Sequence, residues 1–159
     1  MLSVFCNQPQ NKISFDYIDF SYSNGWSNYY SIKILPAGES FIMNDKLNNN
    51  KIYLAFKFDE KALDSLTKLV RKIYYLNLDT VYDKNCDDCQ MYSIIIKYKD
   101  KKFRLFVNGI DDSNESINFV NNLIHYVMNI TGNYNDSLNA IFKFESKTEQ
   151  FSTLTIPPP

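Results

Sequence analysis

One short strand motif occurs twice in the chain, and this repetition constrains the fold more than any other feature. Residues Tyr30-Ser31-Ile32-Lys33-Ile34 reappear as Tyr92-Ser93-Ile94-Ile95-Ile96. Each copy belongs to a run of strand-like sequence, and each run ends in an amphipathic helix. We therefore expect a pseudo-repeat of about 62 residues, sheet then helix, with halves at about 13–77 and 78–146.

The strands are predicted from apolar residues at alternate positions. The predicted strands lie at about 13–22, 29–35, 40–43, 52–58, 80–82, 92–98, 103–107 and 138–144. Turn signals such as Asn24-Gly25 and Asn108-Gly109 separate them. Because short turns join neighbouring strands, we expect the pairing to be mainly antiparallel.

Two helices are predicted from apolar residues at spacings of three and four. Asp59 is placed to cap the first helix, and Asp112 with Glu115 resembles a capping box for the second. The apolar stripes are Leu63, Leu66, Val70 and Ile73 in the first helix, and Ile117, Val120, Ile124 and Val127 in the second. The predicted fold is α+β: a mainly antiparallel sheet of about seven or eight strands, with both helices packed on one face.

The length of 159 residues suits a single domain, which we place at residues 1–147. Hydrophobic residues make up 45% of the chain and aromatic residues 16%, which is ample for a core. The alternative is two separate small domains, but each half is short for independent stability. Residues 148–159 end in Pro157-Pro158-Pro159, and we expect them to form an extended tail.

Charge and apolar patterning exclude two classes of partner. The net charge is −1, with 17 basic and 18 acidic residues. Such a balance gives no positive electrostatic field to attract a phosphate backbone, so we expect no nucleic-acid binding. No apolar run approaches the roughly 20 residues that span a bilayer, and we expect no membrane insertion.

The cellular location is predicted from the N-terminus and the cysteines. Residues 1–6 lack the basic segment and long apolar run of a signal peptide. Three cysteines are an odd number, which argues against a complete disulfide framework. We expect a cytoplasmic protein, and a mature secreted form with its leader removed stays open.

The strand and helix layout resembles a group of small uncharacterised bacterial α+β domains over about residues 15–130. The resemblance lies in Phe20-x-Tyr22, Tyr30 to Ile34, Val81-Tyr82, and Tyr92-Ser93-Ile94 through Lys102 to Gly109. Members of the group often carry a Gly-x-Cys-Pro-like element before the first Tyr-Ser strand. Here residues 24–28 stand in that region without Cys or Pro. The resemblance implies the fold and carries no activity with it.

Cys86 and Cys89 form the one sequence motif whose residue types and spacing indicate metal-binding or redox chemistry. A C-x-x-C pair can supply two thiolates to zinc or act as a redox couple. A structural zinc site needs two further ligands, for which Cys6 and His125 are the remaining soft candidates. We favour a polar loop with two cysteines that can oxidise, so we predict no metal and no cofactor. A small metal- or thiol-dependent enzyme built on this loop is the alternative.

The candidate binding residues lie in two loops. Trp26 and Tyr29 belong to the hairpin after the first strand, and aromatic loop residues are frequent binding hot spots. Trp26 can equally plug an end of the core. Asp87 and Asp88 belong to an acidic loop at 83–90, which lacks the spacing of a calcium-binding loop. We predict no catalytic residues. The predicted function is a non-enzymatic module that binds another protein, of inhibitor, adaptor or toxin-neutralising type.

Overall fold

In the part of the chain that the structure describes, eight strands form a sheet and two helices pack with it. The computed structural model describes residues 14–24, 28–46, 51–78, 80–84, 86, 88–110, 117–130, 137–138 and 144–146. The strands are β1 (Phe15–Ser23), β2 (Asn28–Ile34), β3 (Glu39–Lys46), β4 (Lys51–Lys57), β5 (Val81–Asp83), β6 (Met91–Tyr98), β7 (Lys102–Asn108) and β8 (Ser137–Leu138). The helices are α1 (Glu60–Tyr74) and α2 (Asn118–Ile130).

The strand order across the sheet is β5-β7-β6-β1-β2-β3-β4-β8. All neighbouring pairs are antiparallel except β5 and β7, which are parallel. The α+β class and the mostly antiparallel sheet are confirmed, but the sheet is mixed. Consecutive strands joined by short turns must run antiparallel. No such turn joins β5 to β7, because β6 lies between them in the chain.

Strand β1 lies between the two copies of the repeated motif. Its residues pair with β2 on one side and with β6 on the other in the same register. The resulting rows are Tyr30–Tyr22–Tyr92, Ser31–Ser21–Ser93 and Ile32–Phe20–Ile94. The hairpins β2–β3 and β6–β7 extend from β1 in opposite directions across the sheet.

The core combines side chains from both helices with alternate residues of the central strands. Its strand members include Ile18, Phe20, Ile32, Ile34, Tyr92, Ile94, Ile96, Leu105 and Val107, and its helix members include Leu66, Val70, Ile73, Val120, Leu123, Ile124 and Val127. The predicted stripe of α1 is buried at Leu66, Val70 and Ile73, and Asp59 caps this helix by accepting a hydrogen bond from the Ala62 amide at 2.7 Å. The predicted cap of α2, at residues 112–115, lies outside the described residues.

A bulge interrupts the alternation that the sequence predicted for the first strand. The pairing with β6 shifts between Phe15 and Tyr17, so that Asp16 is the additional residue. Phe15 is buried in the core, whereas Tyr17 lies on the opposite face of the sheet. Phe15 and Tyr17 therefore lie on opposite faces although they are two positions apart, because one inserted residue reverses the order of the side chains.

One predicted strand boundary was also wrong. β3 continues to Lys46 instead of ending at Met43, because Asn44 and Asp45 pair with both β2 and β4. Of the strand predicted at 138–144, the structure describes the pair Ser137–Leu138 at the edge of β4, and residues 139–143 lie outside the described residues. Phe144 to Ser146 lie elsewhere, against the face of β1 that points away from the core.

Candidate functional site

Strand β5 forms one edge of the sheet and is the candidate binding edge. The Phe106 amide donates to the Thr80 carbonyl at 2.8 Å, and the Lys84 amide donates to the Asn108 carbonyl at 3.0 Å. Backbone groups of successive strand residues point to alternate sides. The N–H and C=O groups of Val81 and Asp83 therefore point away from β7. No strand in the described part of the chain pairs with this outer side of β5.

Two exposed apolar side chains lie close in sequence to this edge. Val81 is 51% exposed on β5, and Tyr75, which follows α1, is 70% exposed. Val81 pairs with Phe106, so its side chain is on the sheet face opposite the core. Large apolar side chains with this exposure are available to a partner.

The loop that follows β5 is closed by a disulfide between Cys86 and Cys89. Gly109, with φ of +77°, lies against this bond. A Cβ atom at Gly109 would be 2.8 Å from the sulfur of Cys86 and 3.1 Å from that of Cys89. The Gly109 amide also donates to the Gln90 carbonyl at 2.9 Å. The loop is therefore held against the end of β7, beside the candidate binding edge.

The predicted site residues fall in different parts of the molecule. Asp88 is exposed in the disulfide loop and has a φ of +63°. Tyr29 is half-buried on β2. Trp26 and Asp87 lie outside the described residues. The structure thus brings Asp88, Cys86 and Cys89 into one loop, and it separates Tyr29 from them by the strands that lie between β2 and β5.

A buried polar cluster, which the sequence did not reveal, lies on the sheet face opposite the core. Asp19 is fully buried there. Its carboxylate accepts hydrogen bonds from the Glu145 amide at 2.8 Å and from the Ser146 hydroxyl at 2.5 Å. The Lys33 ammonium is 3.7 Å away. Burial raises the pKa of Asp19, and the two hydrogen bonds and Lys33 oppose that increase.

Serine hydroxyls extend the cluster across neighbouring strands. Ser21 lies 2.6 Å from Ser31 on β2 and 2.6 Å from Ser146. All three serines are buried. Each hydroxyl can donate one hydrogen bond and accept others, so these contacts satisfy the buried polar atoms.

The carboxylate of Glu145 fastens the same segment at the rim of the cluster. It accepts a hydrogen bond from the Tyr17 hydroxyl at 2.8 Å and forms an ion pair with Lys102 on β7. The hydrogen bond from Lys102 lowers the pKa of Glu145, and the same bond raises the pKa of Lys102. Asp19 and Glu145 together hold residues 144–146 on the sheet. These contacts satisfy the groups involved, and the arrangement is that of a structural clamp.

The described residues do not combine into a recognisable catalytic arrangement. His125 is exposed on α2 and does not belong to the Asp19 cluster. No group of three or more His, Cys, Asp or Glu residues in the described ranges is placed to hold a metal ion. The sulfur atoms of Cys86 and Cys89 are bonded to each other, so neither is a thiolate in this state.

One sequence signal could have indicated the buried cluster. Three serines that lie next to aromatic core residues in the sequence form one row across neighbouring strands, on the sheet face opposite the core: Ser21, Ser31 and Ser93. Small polar residues at the same level on three strands suggest that something covers that face. The covering segment itself is more than 100 residues away in the chain, and no local pattern links it to β1.

No protein-family model matches the chain, and a search of curated proteins finds no match. Among the described residues, no helix combines the length and the apolar character needed to cross a bilayer.

Proposed function

We propose that the chain is a non-enzymatic protein-binding module that receives an extended segment of its partner at strand β5. The observation that carries this proposal is the orientation of β5: the backbone groups of Val81 point away from β7, and no described strand pairs with that side of β5. An outward sheet edge accepts an additional strand through main-chain hydrogen bonds.

Side chains beside the edge supply the contact that gives such a strand its specificity. Val81 offers an exposed apolar surface on one face of the added strand. Residues 83–90 contain three aspartates and one lysine, a net charge of −2. We therefore propose a partner segment that is extended, carries an apolar residue opposite Val81, and has basic side chains near Asp88.

The disulfide loop keeps this surface in place. The loop lies so close to Gly109 that a Cβ atom there would be 2.8 Å from the sulfur of Cys86, and the Lys84 amide fixes the beginning of the loop to β7. A preorganised loop binds at a lower entropy cost than a mobile one. This feature suits an inhibitor, adaptor or toxin-neutralising protein, whose function is the contact itself. Because this chain has a net charge of −1, we propose that its partner is a protein and not a nucleic acid.

Affinity capture from a lysate of the source cells tests the proposal. The bait variants are Val81→Lys, which places a charge on the proposed edge, and Trp26→Ala, which tests the other loop predicted from the sequence. The matched control is Asn122→Lys, which adds the same charge at an exposed position of α2. Mass spectrometry identifies and quantifies the captured protein.

We expect one near-stoichiometric protein that the wild type and Asn122→Lys capture and that Val81→Lys loses. Its retention by Val81→Lys together with its loss by Trp26→Ala would move the binding site to the first hairpin. Circular dichroism of each bait is the control for folding. Capture of nothing by the wild type would contradict the protein-binding function.

Thiol–disulfide chemistry at Cys86 and Cys89 is the second candidate function. The observation that favours it is the bond between these two sulfur atoms, which is the oxidised state of a C-x-x-C redox couple. The measurement is the equilibrium of this disulfide with glutathione, together with reduction of a protein disulfide by the dithiol form. A potential below about −300 mV with no turnover marks a structural disulfide and removes this candidate.

We also infer the domain organisation and location that fit this function. Core residues of both helices pack with strand residues of one parity, which supports a sheet covered by helices on one face. The two Tyr-Ser-Ile segments pair with β1 in the same register, which supports a sheet-then-helix pseudo-repeat. Their hairpins extend from β1 in opposite directions, so the structural similarity is limited to the strands next to β1. We propose a cytoplasmic location. The alternative is a secreted form, in which an oxidising environment would keep the Cys86–Cys89 bond closed.

A further inference from the structure

A cleft between α1 and the beginning of β1 is separate from the candidate binding edge. Its volume is about 450 Å³, which falls within the range of about 300–1,000 Å³ of small-molecule sites. The apolar part of its lining comes from Phe15, Pro36 and Leu63. Gly38, in the turn after Pro36, closes this side: a Cβ atom there would lie 3.4 Å from Leu63.

The polar part of the lining comes from one side of α1. Glu60, Asp64, Thr67 and Arg71 lie at spacings of three and four residues, so they share one face of the helix. The Thr67 hydroxyl donates to the Leu63 carbonyl at 2.7 Å, and Asp64 pairs with Lys68 at 2.6 Å. These two groups therefore have partners on their own helix.

Arg71 differs from Thr67 and Asp64. Its Nε atom is buried, and within the described ranges it has no hydrogen-bond acceptor. A buried donor without an acceptor is costly, and a guanidinium is suited to bind a carboxylate or phosphate through two parallel hydrogen bonds. Arg71 is also one of the residues that line the cleft, so a ligand bound there would lie beside its guanidinium group.

The charges of the cleft select between these anions. Glu60 and Asp64 lie in the same lining as Arg71, so the three side chains carry a net charge of −1. Both carboxylates repel either anion, but a doubly charged phosphate meets more of this repulsion than a monocarboxylate, which brings a single charge to the guanidinium. Phe15, Pro36 and Leu63 supply the apolar surface for the remainder of such a ligand.

We propose that this cleft binds a small monocarboxylate with an apolar body, with its carboxylate on Arg71 and its apolar part against Phe15 and Leu63. The site is a further one, and it does not depend on the proposed protein-binding function at β5. An added strand at Val81 and a ligand at Arg71 occupy different surfaces: one is an edge of the sheet, and the other is the junction of α1 with β1 and the turn after β2.

The experiment is an NMR titration of the wild-type protein with 3-phenylpropionate, observing the arginine Nε–H signals. The chain has two arginines, Arg71 and Arg104, and Arg104 is exposed on β7, so it serves as an internal control. 3-Phenylpropan-1-ol is the neutral probe of matched shape, and phenyl phosphate is the dianionic one. The Arg71→Gln and Arg104→Gln variants assign the two signals.

We expect saturable movement of the Arg71 signal with 3-phenylpropionate and none of the Arg104 signal. The alcohol and phenyl phosphate should each bind at least about tenfold more weakly, because one lacks the charge and the other is repelled. The Glu60→Gln variant removes one repelling charge, so the difference in affinity between phenyl phosphate and 3-phenylpropionate should become smaller. These measurements use the wild-type fold, and thermal unfolding reports whether each variant retains it.

Three results would overturn the proposal. The first is an Arg71 signal that stays unchanged through the titration. The second is equal movement of both arginine signals, which marks non-specific ion pairing. The third is equal binding of the acid and the alcohol, which assigns the cleft to apolar ligands without a role for Arg71.

Discussion

The clamp that holds residues 144–146 on the sheet depends on the buried carboxylate of Asp19. In the Asp19→Ala variant the Glu145 amide loses its acceptor, the Ser146 hydroxyl loses one of its two neighbours, and Lys33 loses a nearby counter-charge. A buried donor left without an acceptor costs about 1–3 kcal/mol. Removal of the buried carboxylate returns part of this by ending its desolvation. We expect a net loss of about 2–3 kcal/mol, which lowers the melting temperature by roughly 4–12 °C for a chain of this length.

Two variants separate this effect from a general sensitivity of β1. In Asp19→Asn the amide oxygen can accept from the Glu145 amide and the NH₂ group can donate to Ser146, so we expect a loss of less than about 1 kcal/mol. Asp16, the exposed residue of the bulge, is the matched control, and Asp16→Ala should change stability by no more than about 0.5 kcal/mol.

The assay is urea unfolding followed by far-UV circular dichroism at several pH values. Burial raises the pKa of Asp19 above its unfolded value, so the native state binds the proton more tightly. Stability from this group is therefore full below the unfolded pKa, near pH 4, and is lost as pH rises through the raised folded pKa. As pH rises through that window, the wild type should therefore become less stable relative to Asp19→Asn. Equal stability of Asp19→Ala and Asp16→Ala would refute the clamp.

Three other predictions concern the loop, the core and the alkaline range. Gly109→Ala should cost about 1–2 kcal/mol because an alanine at φ of +77° is strained, and the new methyl group should displace the disulfide, so that dithiothreitol reduces Cys86–Cys89 faster. Unchanged reduction kinetics would show that the loop is not packed there. Leu66→Ala should lose about 2–5 kcal/mol in urea unfolding, since this side chain is fully buried; a smaller loss would place α1 outside the core. Burial raises the pKa of Tyr92 to about 12, so wild-type stability should fall between about pH 10 and pH 12, and Tyr92→Phe should lose less over that window. Equal losses would contradict burial of the hydroxyl.

The local elements of the fold could be predicted because each has a local cause. The cap of α1 needs a side-chain oxygen at Asp59, and its apolar stripe needs the spacing of Leu66, Val70 and Ile73. Both signals lie within a few residues of the structure that they determine. The strand containing Leu54 and Phe56 was predictable for the same reason, because alternation indicates which side chains face a core.

Long-range pairing decided the features that the sequence did not reveal. The extension of β3 to Lys46 depends on partners in β2 and β4, which override the turn preference of Asn44 and Asp45. The parallel pair of β5 and β7 depends on a neighbour that is not consecutive in the chain. The burial of Asp19 depends on Ser146, which is 127 residues away. A single sequence does not show which distant segments pair with each other, so none of these partners could be identified from it.

The candidate site was predictable in part. The loop at 83–90 was selected for its charge and its two cysteines, and its residues Lys84, Asp88 and Gln90 are exposed beside the edge of the sheet. The edge itself was not selected, because whether a strand is at an edge is a property of the whole sheet. The roles of Trp26, Tyr29, Asp87 and Asp88 in binding stay predictions.

Amide hydrogen exchange of β5, measured with and without the captured partner, tests the protein-binding account most directly. The Val81 amide points away from β7, so it has no hydrogen bond to that strand in the free protein. Addition of a partner strand would give it one. The account predicts that exchange at Val81 slows at least about tenfold in the complex, while the amides of α2 are unchanged. Protection that appears at the first hairpin, with Val81 exchanging as before, would contradict it.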